Sequence, residues 1–198
     1  MSRVLHYLIH PALEKSHANA TLWKKSEDVP DVTRVDLYAE YPRHNIDVDC
    51  EQQRLVDHDV VLFQFPMFWY AAPSLLKEWT DLVLEQGFAF GPGGDKLAGK
   101  KVQLIVSTGG SEHAFSPQGY QQRDIRQFLT PYEQTAHLCH MEFLTPFIFF
   151  DAIRENSEKP AEVFAQMLTH LRDDTLNFDA LGQSDTLTPA GLTQIWGA

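Results

Sequence analysis

Five runs of β-branched and aromatic residues recur along the chain, and segments that favour helices separate several of them. The runs are nearly continuous in apolar residues, which is typical of parallel strands buried on both faces. They span 4–9, 32–38, 60–65, 102–107 and 143–150. The pattern predicts an α/β domain in which a five-stranded parallel sheet carries helices on both faces.

Apolar residues at three- and four-residue spacing predict four helices between and after these strands. The helices span 18–26, 74–86, 121–137 and 161–177. The segment 179–198 mixes glycine, serine, threonine and proline with isolated large apolar residues. We therefore predict one domain over residues 1–178 and a C-terminal tail over 179–198 rather than a further element of the core. Packing of the tail on the body and packing on a partner subunit both stay open.

Composition and charge narrow the class of protein. A chain of 198 residues with 43% hydrophobic residues suits one globular domain, and a net charge of -11 argues against binding nucleic acid. The amino terminus reaches charged residues too early for a signal peptide. The longest apolar segments fall short of the roughly 20 residues that a spanning helix needs. We expect a cytoplasmic protein, with peripheral attachment to the membrane left open.

Several kinds of site lack their sequence signals. His137, Cys139 and His140 lie within one helical turn, but no further ligand stands at a spacing that suggests zinc, so we predict no metal site. No G-x-G-x-x-G follows the first strand, and the chain has no P-loop motif and no nucleophile elbow. A phosphate site, where present, must be of another kind.

Three unusual loops follow the first, third and fourth strands and therefore converge at one edge of the sheet. They read HPALEKSHAN, PMFWYAAP and STGGSEHAFSPQGY. The first loop places Ser16 and His17 at the predicted start of a helix, where free N–H groups and the helix dipole favour an anion. The alternative is that Ser16 is an ordinary N-cap, which is the commoner role of a serine at this position.

The second loop presents sulfur and aromatic surface between Pro66 and Pro73. Residues 67–70 would suit a flat ring system, because aromatic faces stack on one another. Their alternative role is packing in the core or at a dimer interface. Three aromatic residues in one turn favour a ligand groove or an interface over a chance exposure.

The third loop places Gly109 and Gly110 directly after a strand. Without side chains, these residues let the backbone approach a ligand closely and offer it unblocked amides. A plain tight turn would have the same sequence, so both interpretations stay open at this point.

Four blocks of the sequence resemble the flavodoxin-like NAD(P)H:quinone oxidoreductases, and within them the ancillary flavoproteins of glutathione-gated potassium-efflux systems. The blocks are SHAN at 16–19, YPRHNIDVD at 41–49, FPMFWYAAPSLLKEWTDLVLEQGFAFG at 65–91 and STGG at 107–110. The resemblance covers about residues 4–178, and its most specific block is 65–91. It implies a flavodoxin-like fold and a homodimer with shared active sites. It also implies a flavin at the carboxyl edge of the sheet, with FMN favoured over FAD.

By position, the resemblance implies a set of cofactor-binding residues drawn from all three loops. Those for the flavin phosphate and ribityl chain are His10, Ser16, His17 and Asn19. Those for the isoalloxazine ring are Pro66, Met67, Phe68, Trp69 and Tyr70. Those with backbone contacts to the pyrimidine side are Thr108, Gly109 and Gly110.

The loop after the fourth strand departs from the pattern of the mammalian-type quinone reductases, which it resembles as T-G-G-S-x-x-x-Y-S-x-Q-G-x-H. Phe115 and Gln121 stand where that pattern has the tyrosine and histidine of a charge relay. Neither can carry a proton in that way, which leaves Tyr120 or His113 as candidate substitutes. The ancillary flavoproteins share the phenylalanine. We assign Phe115, Tyr120 and Gln121 as the candidate catalytic positions.

The resemblance implies an enzyme that moves a hydride from NAD(P)H through a flavin to a quinone or similar small electrophile, in a ping-pong reaction. Its alternative is a regulatory subunit of a potassium-efflux antiporter, with flavin turnover incidental or sensory. A one-electron flavodoxin shuttle is a weaker third hypothesis, because the expected phosphate loop of alternating threonine and glycine is absent.

Overall fold

The computed structural model describes residues 1–176 and 185–196. Its strands form one parallel sheet in the order β2-β1-β3-β4-β5, with β6 also paired to β4. The strands are β1 Val4–Leu8, β2 Val32–Asp36, β3 Val60–Pro66, β4 Lys101–Ser107, β5 Glu142–Phe143 and β6 Phe147–Phe149.

The fifth predicted strand is two short strands, β5 and β6, which pair with successive parts of β4. Pro146 lies in the gap and has no N–H to give to a ladder. There the side chain of Gln103 reaches across and donates from Nε2 to the carbonyl oxygen of Thr145, at 2.7 Å. The two strands share one edge position, so the predicted parallel sheet with five strand positions is confirmed.

Helices cover both faces of the sheet. They are α1 His17–Lys25, α2 Leu37–Glu40, α3 Val48–Asp57, α4 Ser74–Val83, α5 Ile125–Leu138, α6 Glu158–Arg172 and α7 Pro189–Trp196. The four predicted helices correspond to α1, α4, α5 and α6. The start predicted at 121 for the third of these is wrong, because Gln122 has a φ of 55° and the helix begins only at Ile125.

Two apolar clusters lie on opposite faces of the sheet. Residues of α3, α4 and α5 pack on one face around Trp79, and residues of α1, α6 and α7 pack on the other around Phe164. Both side chains are fully buried. Among the described helices, none is long and apolar enough to cross a membrane.

A buried carboxylate ties α3 to its neighbours on the first face. Glu51 accepts hydrogen bonds at Oε2 from the Tyr7 hydroxyl at 2.5 Å and from Trp79 Nε1 at 3.0 Å. Its Oε1 accepts from the Tyr41 hydroxyl at 2.6 Å and from the Arg54 guanidinium. Burial and this carboxylate together raise the pKa of Tyr7, so the phenol stays protonated. Every oxygen of Glu51 is thus satisfied inside the core.

The described part of the C-terminal segment, residues 185–196, packs on the body of the domain, which is one of the two places left open for the predicted tail. Leu187 donates its N–H to the carbonyl oxygen of Pro146 at 2.8 Å and accepts from the N–H of Ile148 at 2.7 Å. Leu187 and Leu192 are both buried in the second cluster. The apolar residues of this segment therefore cover the edge and face beside β6. The boundary predicted at 178 lies outside the described residues.

Candidate functional site

The loops after β1, β3 and β4 meet at the carboxyl edge of the sheet, as the topology predicts. Met67 donates its N–H to the carbonyl oxygen of Ser107 at 2.8 Å, which joins the second loop to the third. Asn19 Nδ2 donates to Ser107 Oγ at 2.7 Å, which joins the first loop to the third. The rings of His10 and Phe68 lie edge to face at 5.9 Å, which joins the first to the second.

Ser16 is the N-cap of α1, since its Oγ accepts from the backbone N–H of Asn19 at 3.3 Å. The capping role and an anion site are compatible. In the described part of the chain, the backbone N–H groups of His17 and Ala18 have no protein acceptor. The His17 ring is exposed, and its Nδ1 lies 3.2 Å from Ser157 Oγ at the start of α6. This end of α1 therefore offers two free donors and a positive dipole.

The side chain of Asn19 is buried and is occupied by protein groups. Its Nδ2 donates to both Ser16 Oγ and Ser107 Oγ, and its Oδ1 accepts from Gln64 Nε2 at 3.2 Å. Asn19 thus lies beneath the start of α1 and holds it against β3 and β4. A direct contact between Asn19 and a phosphate stays a prediction.

His10 is a neutral histidine in the loop that follows β1. Its Nδ1 accepts the N–H of Ala12 at 3.1 Å, so the proton belongs on Nε2. Burial lowers the pKa of the His10 imidazole, which keeps the ring uncharged near neutral pH. The side chain can therefore donate one hydrogen bond toward the site.

The second loop is built around a strained two-residue turn, which we call the aromatic turn (Phe68–Ala71). Phe68 and Ala71 exchange backbone hydrogen bonds at 2.9 and 3.1 Å. Between them, Trp69 and Tyr70 have φ angles of 48° and 66°. Hairpin turns with both central φ angles positive normally carry Asn-Gly, and bulky residues there cost about 1–3 kcal/mol each. Such a turn persists only where its surroundings hold it.

The aromatic turn is held from the side of α5. The ring of Tyr70 stacks on Phe128 at 5.0 Å, and its hydroxyl donates to Gln121 Oε1 at 3.1 Å. Next to it, Ala72 donates its N–H to the Tyr132 hydroxyl at 2.8 Å. Trp69 projects outward with 90% of its surface exposed. The aromatic residues of this turn are therefore not core residues, which leaves a ligand or an interface as their role.

Close packing accounts for one glycine of the third loop. A Cβ on Gly110 would lie 2.8 Å from Cε2 of the buried Phe115 ring. At Gly109 the near atom is Ile153 Cδ1 at 2.7 Å, the end of an exposed side chain that can move away. Thr108 is buried and accepts at Oγ1 from the N–H of Gly110 at 3.3 Å. Within the described residues the N–H of Gly109 has no acceptor, so it remains available as a donor.

The three candidate catalytic positions have different surroundings. Phe115 is buried, with its ring 6.0 Å from that of Phe128 and 6.2 Å from that of Phe150. Gln121 accepts from Tyr70 and so supports the aromatic turn. Tyr120 is 88% exposed, and no ring contact or side-chain hydrogen bond joins it to the described part of the site.

Two polar strand residues support the site without being among the predicted site residues. Gln64 lies inside β3 and Ser107 ends β4, and both contact Asn19. Their signal is a polar residue within a buried, otherwise apolar strand, which is costly unless it is hydrogen-bonded. Across the described residues, no group of three His, Cys, Asp or Glu side chains could hold a metal ion.

An apolar groove of about 410 Å³ runs between α4 and α5, and the aromatic turn forms part of its wall. Its lining includes Tyr70, Ala72, Leu76, Phe128 and Tyr132. The groove extends along the face of the sheet, away from the free amides at the start of α1. It is therefore an apolar surface beside the site rather than the place where the three loops meet.

The strand order 2-1-3-4-5, with the loops after β1, β3 and β4 at the carboxyl edge, defines a flavodoxin-like protein. Residues 2–173 match the family described as having the flavodoxin-like fold, and the chain belongs to that family. Both the expected fold and the stated resemblance are confirmed.

Individual relatives give the family its functional context. The glutathione-regulated potassium-efflux system ancillary protein KefG of Cronobacter sakazakii is 44% identical over 155 residues, which cover 78% of this chain and 84% of KefG. General stress protein 14 of Treponema denticola, solved with FMN, has a TM-score of 0.81 and 34% identity, covering 85% of this chain and 99% of its own. An NADPH-quinone reductase from P. pentosaceus has a TM-score of 0.76 and 26% identity, covering 86% of this chain and 97% of its own.

Proposed function

We propose that this protein is a flavin-dependent NAD(P)H oxidoreductase that passes a hydride to quinones or similar small electrophiles. The observation that carries the proposal is the meeting of three features at one sheet edge. These are the free amides of α1, the exposed aromatic turn and the glycine loop after β4. The relation to an NADPH-quinone reductase supports the donor and the acceptor.

FMN is the cofactor that we propose, and the donor set fits its parts. The N–H groups of His17 and Ala18 suit the phosphate, because a helix N-terminus favours an anion. The aromatic turn suits the ring, and the N–H of Gly109 suits its pyrimidine edge. The FMN complex of the Treponema relative supports FMN over FAD.

A bound flavin would supply the two-electron chemistry between nicotinamide and acceptor, and the protein would supply position and environment. Neutral His10 donates from Nε2 without adding charge near the phosphate. Phe115 excludes water beneath the glycine loop, since it is buried against Phe128 and Phe150. Gln121 holds the Tyr70 hydroxyl rather than a proton. We propose that Phe115 and Gln121 shape the site, and that exposed Tyr120 plays no part unless a second chain covers it.

An anaerobic titration tests this function. Purified protein is reconstituted with FMN or FAD, reduced with NADPH or NADH, and then given a quinone while flavin absorbance is followed. The expected result is bleaching, then recovery that depends on the quinone. A protein that binds neither flavin would refute the proposal, and one that binds FMN without reduction by either nicotinamide would refute the oxidoreductase activity.

The relation to KefG supports a second candidate, an ancillary subunit that docks on a potassium-efflux antiporter at the cytoplasmic face of the membrane. The two functions are compatible in one protein. Co-purification with an antiporter from the same cells, and a change in its potassium efflux on deleting this protein, are expected. Normal efflux in the deletion strain would contradict the second candidate.

We also propose a homodimer, supported by the apolar groove between α4 and α5 beside the exposed aromatic turn. A second copy would cover apolar surface that a monomer leaves open. Sedimentation equilibrium is expected to give twice the chain mass. A monomer at micromolar concentration would contradict it.

A further inference from the structure

A continuous set of polar side chains crosses the second apolar cluster and reaches the start of α1. We call it the buried amide chain (His6, Gln64, Asn19, Ser107). His6 Nε2 lies 2.9 Å from Gln64 Oε1, and Gln64 Nε2 donates to the Asn19 carbonyl oxygen at 3.0 Å and to Asn19 Oδ1 at 3.2 Å. Asn19 Nδ2 then donates to Ser107 Oγ and to Ser16 Oγ. All four members are buried.

The hydrogen bonds of this chain run in one direction only. Gln64 uses its Nε2 on Asn19, so its Oε1 must accept, and His6 must donate from Nε2. The other ring nitrogen, His6 Nδ1, has no partner in the described part of the core, as fits an unprotonated nitrogen. Turning either amide over would set donor against donor or acceptor against acceptor. The chain therefore holds Asn19 in a single orientation.

His6 itself is fixed by aromatic neighbours. Its ring lies edge to face with Trp23 of α1 at 5.0 Å and with Phe164 of α6 at 5.5 Å. Burial lowers the pKa of this imidazole to about 3, so it is a permanently neutral donor at physiological pH. Because the His6 ring packs against Trp23 of α1, the orientation of the ring depends on the position of that helix.

Asn19 is the member that links the two halves of the candidate site. Its side chain donates to Ser16, the N-cap that precedes the free amides of α1, and to Ser107, the last residue of β4. The glycine loop begins at Thr108, directly after that strand. One side chain thus sets the spacing between the end of the site proposed for the phosphate and the end proposed for the ring.

We propose that His6 and Gln64 are positioning residues for the flavin phosphate, acting through Asn19 on the spacing between the start of α1 and the loop after β4. The inference rests on the proposed flavin function. Apolar side chains at these two positions would avoid the cost of burying polar groups, and would lose the defined geometry.

The test compares the dissociation constants of FMN and riboflavin, because riboflavin has the ring and ribityl chain without the phosphate. Titrations by quenching of flavin fluorescence are made on the wild type and on Gln64→Met, His6→Leu and Ser107→Ala. Each variant is expected to weaken FMN about tenfold, the factor that about 1.4 kcal/mol represents, and to leave riboflavin nearly unchanged. Ser107→Ala removes one hydroxyl only, so it tests the chain even where a larger change prevents folding.

Gln103→Met is the matched control. Gln103 is another fully buried glutamine, on the neighbouring strand β4, but its Nε2 donates to the carbonyl oxygen of Thr145 between β5 and β6 and not to Asn19. Its variant is expected to keep the wild-type ratio of FMN to riboflavin affinity. Equal losses for both flavins, or unchanged ratios in the three test variants, would overturn this inference while leaving the flavin function intact. A wild type that binds neither flavin would instead overturn the proposed function.

Discussion

At the scale of single residues, the aromatic turn stores strain in Trp69 and Tyr70, whose φ angles are 48° and 66°. Neither tryptophan nor tyrosine favours this conformation, because a backbone with positive φ suits glycine and asparagine. Tyr70 is compensated by Phe128 and Gln121, whereas Trp69 is 90% exposed and has little packing to offset its strain. Strain at an exposed aromatic residue is consistent with selection for binding rather than for stability.

Trp69→Asn is therefore expected to stabilise the flavin-free protein by about 1 kcal/mol, since asparagine tolerates a positive φ. The same change is expected to weaken FMN, because it removes ring surface from the site. Thermal unfolding and FMN titration give the two results. Tyr120→Asn is the control, as Tyr120 is equally exposed without a positive φ. A less stable Trp69 variant would show that its indole packs more than its exposure suggests.

The buried imidazole of His6 makes stability depend on pH. Its pKa is about 3 in the folded chain, against an ordinary value of 6.5. As the pH falls below about 6.5, the unfolded chain takes up a proton that the folded chain cannot, so the stability present above that pH is lost toward about pH 3. The loss from this group is about 1.4 kcal/mol per pH unit.

Urea unfolding at several pH values between about 7 and about 5 measures that slope. We expect His6→Leu to flatten the dependence by about one proton, whereas Gln103→Leu, which removes a buried polar side chain that has no titratable group, keeps the slope of the wild type. Parallel curves for wild type and His6→Leu would mean that His6 is not a neutral buried group.

At the scale of secondary-structure elements, Glu51 connects α3 to β1, α4 and the residue after α2. It accepts from Tyr7, Trp79 and Tyr41 as well as from Arg54. A carboxylate that accepts this many hydrogen bonds fixes the relative positions of the elements that it contacts. The buried donors in turn rely on it as their acceptor. Glu51 closes the acidic run DVDCE at 47–51, and an acidic run gives no local sign that one of its carboxylates faces the core.

Glu51→Ala is expected to destabilise the protein by about 3–5 kcal/mol, because it leaves three buried donors, the Tyr7 and Tyr41 hydroxyls and the Trp79 indole N–H, without their acceptor. Arg54 keeps its ion pair with Glu40 in this variant. Equilibrium unfolding in urea checks the value. The control is Glu27→Ala, which breaks an ion pair with Arg34 whose glutamate is exposed, and should cost no more than about 1 kcal/mol. Similar costs for the two variants would contradict the connecting role of Glu51.

The strands and helices also show which parts of the fold the sequence patterns can predict. The parallel sheet and four of its helices, α1, α4, α5 and α6, were predictable, because continuous apolar runs and helical spacing reflect burial that each segment undergoes in any α/β packing. The helix α3 was not predicted, although its 10 residues make it as long as α4. The division of the last strand was not predicted, although Pro146 inside the apolar run is a local signal of a break. The hydrogen bond from Gln103 to Thr145 at this break joins two strands, so no local pattern shows it. Residues 185–196 look like a tail because isolated leucines show no period, yet Leu187 and Leu192 are buried.

At the scale of the whole molecule, topology explains why the place of the site was predictable while its internal contacts were not. Parallel strands bring the loops after β1, β3 and β4 to one edge whatever their sequences. The conformation of the aromatic turn, by contrast, depends on α5, and the orientation of Asn19 depends on Gln64 in β3. Such contacts join residues far apart in sequence, so no local pattern encodes them.

The helix α7 contributes to the second apolar cluster, so a cavity at its buried position should lower the stability of the protein. Leu192 of α7 is buried in that cluster, whereas Ile195 of the same helix is exposed. We expect Leu192→Ala to cost about 2–5 kcal/mol in the free energy of unfolding, since it leaves a cavity in the core. Ile195→Ala, with the same helix and a similar change in volume, should cost within about 0.5 kcal/mol. Urea unfolding distinguishes the two, and an equally small cost for both would return residues 185–196 to the role of a tail.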